Sequence, residues 1–410
     1  GESDLLFDMP VQYDMNSMPC IQGTSICGVL RNFYEKTYNT NAVNEHFGSQ
    51  NNKENRGSRI IVSDAFVLDA QGEAVEELLE EISDPYLEQL THLPVRDHCR
   101  ISVFGTAEKA GKFDRTVLFP GIRFVMEFQI SGESLEYCDK EADKLLALFE
   151  HPLFRLGGGT RSGFGKIKVL AISKDLYDLS KAEGLEKYLQ RSSSLAKIPD
   201  NLNYDFKQDQ EEFISSENYK TWSITLTPES TWLFSSGVGE GDMDIFPKYE
   251  DRIIWEDKKI GSKSSFESFL IIPATSVKGA LAHRTAYHYN RLIDRYADEL
   301  DADAIKAPCP AVSALFGSAA DSKQKGLDSS TDSSQGHCGK VMIDDLYCSV
   351  NASQYKVFNH VAIDRFTGGA LDGMLFDELA VYSGEFQLNI TLDKSEIDQE
   401  ALSAFEKAVD

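Results

Sequence analysis

The chain has 410 residues and a net charge of −25, from 41 Lys+Arg against 66 Asp+Glu, which is length enough for two ordinary domain cores. Its 41% hydrophobic and 26% charged residues exclude a fully disordered or collagen-like polymer, and its acidity disfavours indiscriminate attraction to nucleic acid or anionic membrane, so any polyanion has to be held by local basic patches. No apolar run approaches a spanning helix, the start Gly1-Glu2-Ser3-Asp4 has no signal-peptide character, and seven cysteines without a CxxC pair form no disulfide framework; a soluble, cytoplasmic protein with reduced thiols and no membrane partner is expected.

In chain order, Gly23-Thr24-Ser25-Ile26-Cys27-Gly28-Val29-Leu30 opens an apolar-periodic stretch with a hydroxyl for an N-cap, which predicts a helix start. Residues 59–68 and 116–130 alternate and carry β-branched or aromatic side chains, predicting strands. Between them, residues 73–88 hold seven acids and no base and read as a solvated helix face. A helix is expected over 141–149, followed by a glycine-rich block at 157–165 that enters a strand. Residues 173–219 read as a connector. A strand-like stretch at 221–234 precedes Ala274-Thr275-Ser276-Val277-Lys278-Gly279-Ala280-Leu281, another helix start. Residues 319–336, rich in Ser, Asp, Lys and Gly, read as an insertion, and strands at 340–350 and 385–392 and a helix at 396–409 follow. Helices and strands interleave without a steady βαβ rhythm, which favours an α+β fold with largely antiparallel sheets.

The two helix starts belong to an internal repeat with an offset of 279 − 28 = 251. Phe47-Gly48-Ser49 returns as Phe316-Gly317-Ser318, Ser63-Asp64 as Asp344-Asp345, and Phe113-Asp114 onward as Phe376-Asp377 onward. Four blocks in one order mark a duplicated domain, with units at 1–172 and 220–410 around the 173–219 connector. The first half is short before its helix and the second never reaches a glycine block, so residues missing at both ends are expected.

Two features suit an anion. The block Gly157-Gly158-Gly159-Thr160-Arg161-Ser162-Gly163-Phe164-Gly165 can bring backbone N–H groups to a phosphate, and residues 151–173 hold Arg155, Arg161, Lys166 and Lys168 without an acid. It is neither a Walker loop nor a dinucleotide fingerprint, and a plain turn uses the same residues. The repeated Thr-Ser helix start is the second, strengthened by Lys278 in one half and Arg31 in the other, with simple N-capping as the alternative. Arg365-Phe366 beside a glycine turn offers a guanidinium and a ring for phosphate contact and base stacking. His98 and His360 stand at matching places, as general acid/base groups or as hydrogen-bonded strand histidines. Cys309, His337 and Cys338 bracket the insertion without a cleanly spaced fourth ligand, so zinc is not favoured.

The ordered set Ile21-Gln22-Gly23-Thr24-Ser25 with Arg31, Phe47-Gly48-Ser49, Ser63-Asp64-Ala65, the glycine block, Ile272-Pro273-Ala274-Thr275-Ser276 with Lys278, Leu315-Phe316-Gly317 and Ile363-Asp364-Arg365-Phe366-Thr367-Gly368 resembles the RAMP superfamily of CRISPR proteins. More narrowly, it is similar to the fused two-unit backbone subunits of type III, III-D-like, effector complexes. The resemblance implies tandem ferredoxin-like, RRM-related domains packed head to tail along a guide crRNA, with other effector subunits and target RNA as partners. It puts guide RNA against Thr24, Ser25, Arg31, Gly157, Gly158, Gly159, Thr160, Arg161, Ser162, Thr275, Ser276, Lys278, Arg284, Arg365 and Phe366. Catalytic relatives carry an aspartate in a loop before the Thr-Ser helix, which implies that Asp14 is catalytic and binds Mg²⁺ or Mn²⁺. In the second unit Asp257 fits best, with Asp242, Asp244 and Asp251 as rivals.

RNA supplies its own nucleophile, the 2′-hydroxyl, so such a site has mainly to align it and stabilise developing charge. The expected function is guide binding and divalent-metal-dependent cleavage of target RNA. A non-catalytic scaffold of the same complex and a metal-independent guide-processing endoribonuclease are the alternatives.

Overall fold

The computed structural model describes residues 7–410 except 39, 51–54, 103, 205–217, 236–238, 240, 242, 302–303, 306 and 319–335. Asp242 and nearly all of the 319–336 insertion therefore lie outside the described residues. The first half runs α1 (Gly23–Thr37), α2 (Thr40–His46), β1 (Ser49–Gln50), β2 (Asn55–Arg56), β3 (Ile60–Val62), β4 (Phe66–Val67), α3 (Pro85–Leu90), β5 (Val95–Ile101), β6 (Ala107–Thr116), β7 (Phe124–Val125), β8 (Phe128–Ile130) and α4 (Leu135–Phe149). After α5 (Ala182–Gln190), the second half runs β9 (Tyr219–Leu226), β10 (Tyr249–Trp255), β11 (Ser264–Ile272), α6 (Ala274–Leu292), α7 (Pro310–Phe316), β12 (Gly317–Ser318), β13 (His337–Cys338), β14 (Val341–Ile343), β15 (Leu346–Cys348), β16 (Tyr355–Ile363), β17 (Ala370–Val381), β18 (Phe386–Asp393) and α8 (Gln399–Val409). The architecture is α+β, and the described strand ladders are antiparallel. Among the described residues no helix is long and apolar enough to cross a membrane.

The repeat is visible in three dimensions. In the first half α1 and α4 cover the β3–β8 pair; in the second, α6 and α8 cover the order β14-β18-β9. Helix α1 buries Ile26, Leu30 and Tyr34 on one helical face, where they meet Ile60, Leu145, Leu148 and Phe154. The matching core joins Leu315, Val341, Ile343, Ile390, Leu392 and Phe405. Each fully buried side chain of this size contributes about 1.5 to 3 kcal/mol. Each half also extends a long hairpin, β5–β6 or β16–β17, with His98 opposite Phe113 and His360 opposite Phe376, and a bulge between Cys99 and Ile101 or between Val361 and Ile363.

Several local expectations are corrected. The strands expected at 59–68 and 340–350 are each broken in two, at Ser63-Asp64-Ala65 and at Asp344-Asp345. In the acid run only α3 is helical, and it starts where Asp84 accepts the Tyr86 N–H at 2.9 Å; seven carboxylates without a base repel one another along a helix face. After the glycine block, 166–171 stays outside any ladder. The 221–234 stretch forms a ladder only to Leu226, with Trp232 making a lone bridge to Val381.

Candidate nucleic-acid interface

Both broken strands serve a helix start. Asp64 Oδ1 accepts the Gly23 N–H at 2.7 Å, and Asp345 Oδ1 accepts the Ala274 N–H at 2.7 Å. A carboxylate from a distant strand thus completes each helix N-terminus, where free amides and the helix dipole favour negative charge. The sequence-level capping assignment is therefore corrected: the caps are Gln22 and Pro273, neither makes a side-chain cap bond, and the Thr-Ser pairs sit inside the first turn. Thr24, Ser25 and Ser276 are exposed and Thr275 is half-buried. Gly23 is required by close approach, since a Cβ there would stand 2.4 Å from the Val62 carbonyl oxygen. Arg31 is held to its own unit, donating to the Gly48 carbonyl at 2.9 Å and to Asn44 Oδ1 at 3.1 Å.

The glycine block and the second helix start, separate candidates in the sequence, meet across the unit boundary. Gly163 bridges to Asp344, and Arg161 donates from Nε to the Gly339 carbonyl at 2.9 Å and from Nη1 to Thr160 Oγ1 at 2.8 Å. Lys278 is held below the ordinary lysine range by burial and then by the nearby charge of Arg161. Arg155 and Lys166 both pair with Asp344, at 3.0 and 2.6 Å. Of the four bases in the patch read from sequence, Lys168 alone is not tied to the second unit among the described residues; it is exposed. Gly157 and Gly158 face open space, with nothing within 4 Å of a Cβ built on either. Ser162 donates its N–H to the Gly159 carbonyl at 2.8 Å, closing the turn.

Beneath the loop lies a buried ionic knot. Arg96, 3% exposed, grips both Glu250 oxygens, reaches Asp345 Oδ2 at 2.6 Å and Tyr347 Oη at 3.0 Å, and stacks on the Phe164 ring at 4.8 Å. Burial pushes the Asp345 carboxyl up against the opposing pull of Arg96 and the Ala274 amide.

Asp14 lies in the turn of a short hairpin, Tyr13 bridging Pro19, that leads through Ile21 into α1. Its Oδ1 accepts the N–H groups of Asn16 at 2.8 Å and Met18 at 2.9 Å, leaving Oδ2 unbonded among the described residues. The Cys20 thiol is pushed up by burial and then by the nearby charges of Asp14 and Asp64. Asp257 occupies the equivalent turn between β10 and β11, which leads through Ile272 into α6. Its surroundings differ: Oδ1 accepts the Lys259 N–H at 2.7 Å, its carbonyl accepts Arg123 at 2.7 Å, and Arg123 stacks 3.8 Å over Trp255, whose Nε1 donates to the Gly121 carbonyl. This turn is clamped onto the first unit. Asp244 exchanges backbone-to-carboxylate bonds with Asp377, and Asp251 lies in the β10 ladder opposite Ser268.

Among the described residues no three His, Cys, Asp or Glu side chains gather as a metal-ligand set. A hard cation at Asp14 would hold one protein carboxylate oxygen, Oδ2, and take its other oxygens from RNA phosphate and water, a donor set that suits Mg²⁺ or Mn²⁺. His337 has Nδ1 within 2.9 Å of Ser318 Oγ and Nε2 within 2.8 Å of the Ser313 carbonyl.

The hairpin tips carry aromatic rings: Phe366 is 93% exposed beside exposed Arg365, with its N–H on Asp364 Oδ1, and Phe104 is 62% exposed at the other tip. His98 and His360 stack on Phe113 and Phe376 with centroids 4.9 Å apart in both. Burial and then Arg115 hold the His98 imidazole below its usual range, and His360 Nε2 lies 3.2 Å from Glu378. Sequence reasoning missed Arg96 and Glu250, whose partners lie far along the chain, and the Tyr287-Arg291 pair on α6.

A family model described as the RAMP superfamily matches residues 1–168 and 260–410. No curated protein matches the chain.

Proposed function

The chain belongs to the RAMP superfamily, and from that membership we propose that this CRISPR-associated RNA-binding subunit is a backbone protein of a type III effector complex, holding guide RNA and cleaving paired target RNA at Asp14 with a divalent ion. One observation carries the reading. Two copies of one unit are docked in series, each with an exposed hydroxyl-bearing helix start, at Ser25 and Ser276, and an exposed aromatic hairpin tip, at Phe104 and Phe366. A surface that repeats along one direction suits a polymer that repeats in the same way, with rings to part or stack bases and amides and guanidiniums to take phosphates.

For cleavage, the chain's part is positioning. The turn bonds from the Asn16 and Met18 N–H groups fix Oδ1 of Asp14 and leave its Oδ2 unbonded among the described residues. A bound Mg²⁺ or Mn²⁺ would neutralise charge on the scissile phosphate. The target's 2′-oxygen would attack the adjacent phosphorus as its proton passes to solvent water, and the 5′-oxygen would leave and take a proton from water, giving a 2′,3′-cyclic phosphate and a 5′-hydroxyl. Hairpin residues that splay the target strand would supply the in-line geometry this attack needs.

The test is a reconstituted complex carrying Asp14→Ala. Loss of a metal-dependent cut with guide and target binding intact supports the assignment; survival of every cut removes it. Asp257→Ala is the paired variant. The clamping of the Asp257 turn by Arg123 and Trp255 favours a second reading for that half, a scaffold without a cut of its own.

A further inference from the structure

The boundary between the units is ionic, and the repeat allows each side of it to be compared with its counterpart in the other unit. On the first unit's side, the base of the β5–β6 hairpin places Arg96 directly across from Arg115. Both guanidiniums lie over the Phe164 ring, at 4.8 and 5.1 Å from its centroid, and Arg155 and Lys166 add two more cations. On the second unit's side, Glu250 and Asp345 receive Arg96, and Asp344 receives Arg155 and Lys166. Cations facing acids decide which surfaces can meet, because like charges brought together across such a contact repel.

The counterpart of the acidic side lies in the first unit at Asp64. Asp64 and Asp345 make the same bond, each with Oδ1 on the first amide of its helix at 2.7 Å. Oδ2 of Asp345 takes Arg96 at 2.6 Å, whereas Asp64 is exposed and its Oδ2 is unbonded among the described residues. The counterpart of the cationic side is the base of the β16–β17 hairpin, and there the charge is reversed. Phe358 stands in the place of Arg96 and Glu378 in the place of Arg115, opposite one another in the ladder as the two arginines are. Glu378 lies 3.2 Å from His360, and Lys356 lies over the Phe358 ring at 5.1 Å.

We propose that the face of the first unit around Asp64 docks a different protein, one that presents an arginine from the base of a β-hairpin to Asp64 Oδ2, and that this chain's own second hairpin is excluded from that place. The occupied copy supplies the chemistry: in the same setting the Asp345 carboxylate holds a guanidinium, whose planar fork suits an oxygen left over from a helix cap. A second copy of this chain would bring Phe358 and Glu378 instead, setting carboxylate against carboxylate between two molecules that each carry −25. An RNA phosphate, itself anionic, is repelled by Asp64 as well. The proposal rests on the repeat and not on RNA binding or cleavage at Asp14, so its failure leaves the proposed function standing.

The test uses the full chain as both host and probe. The probe carries F358R with E378R, which rebuild the Arg96–Arg115 pair on the second hairpin, and D64N, which weakens its binding to itself while keeping a cap oxygen for Gly23. Sedimentation velocity over a dilution series is expected to show wild-type chain as a monomer and probe with wild type as a heterodimer. A host carrying Asp64→Asn is expected to bind the probe more than about tenfold more weakly, and added KCl to weaken the wild-type heterodimer. Thermal melting checks that each variant folds; if the double arginine change does not, Phe358→Arg alone replaces it in the probe. Equal binding to both hosts, or no complex with wild type, overturns the inference. Wild-type self-association that Asp64→Asn abolishes also overturns it, because a second copy would then be the occupant. In the reconstituted effector complex, Asp64→Lys is expected to release a protein subunit while guide RNA stays bound. Loss of RNA with every protein retained makes the face an RNA surface, against the proposal.

Discussion

Arg96 of the first unit donates to Asp345 of the second at 2.6 Å, and the same carboxylate caps the first amide of α6. One side chain therefore links the unit boundary to the helix start. With Arg96 gone, the carboxylates of Asp345 and Glu250 would be left buried, with Lys248, 3.6 Å from Glu250, as the one cation still paired with either among the described residues. Arg96→Leu is expected to lower unfolding free energy by about 3 to 5 kcal/mol, read from urea denaturation. A loss under about 1 kcal/mol would mean that the boundary is held by packing alone.

The two helix caps differ only in setting. Asp64 is exposed, whereas the Asp345 side chain is only 6% exposed and is ion-paired. Asp64→Asn is expected to cost no more than about 1 kcal/mol and Asp345→Asn clearly more than about 2 kcal/mol. Equal costs in thermal melts would remove the inter-unit role given to Asp345.

Gly163 holds φ +94° with the Asp345 carboxylate 2.4 Å from where a Cβ would sit, while Gly158 faces open space without a positive φ. Gly163→Ala is expected to destabilise by about 2 kcal/mol or more and Gly158→Ala to stay within about 0.5 kcal/mol. Limited proteolysis at the connector provides a second readout of loosened docking.

His151 is pushed down to about 4, chiefly by burial, and its Nδ1 accepts the Leu153 N–H at 3.1 Å. Its unfolded value is near 6.5, so between these values the unfolded chain binds the extra proton. The stability this site contributes is complete above pH ~6.5 and is lost as pH falls towards ~4, amounting to about 2 kcal/mol after screening. His151→Gln is expected to flatten that part of the stability profile, and NMR titration of the imidazole checks the depressed value directly.

Duplication, fold class and helix starts are legible in the sequence because they rest on local patterns repeated at a fixed offset. The Thr-Ser pairs are visible but misleading: the atom that caps each helix belongs to a strand break, Asp64 or Asp345, that no window around the helix contains. The glycine block shows its bases but not their partners, since Arg155 and Lys166 meet Asp344 only once the second unit is docked. Arg96 was silent for the same reason, its carboxylates lying 154 and 249 residues away. What is legible is periodicity; what is not is any bond formed between distant segments.

The boundary joins unlike surfaces, a glycine block and hairpin base on one side and a helix start with paired acids on the other. Such a contact is heterologous: its operator is a translation with rotation, which propagates and does not close as a two-fold would. The residues that would continue it are not the same ones. Ser63 stands where the second unit has Asp344, and Phe358, two places before His360, stands where the first has Arg96 two places before His98. The molecule therefore has a direction, with two ends that are chemically distinct, and a strand laid along it meets the units in a fixed order.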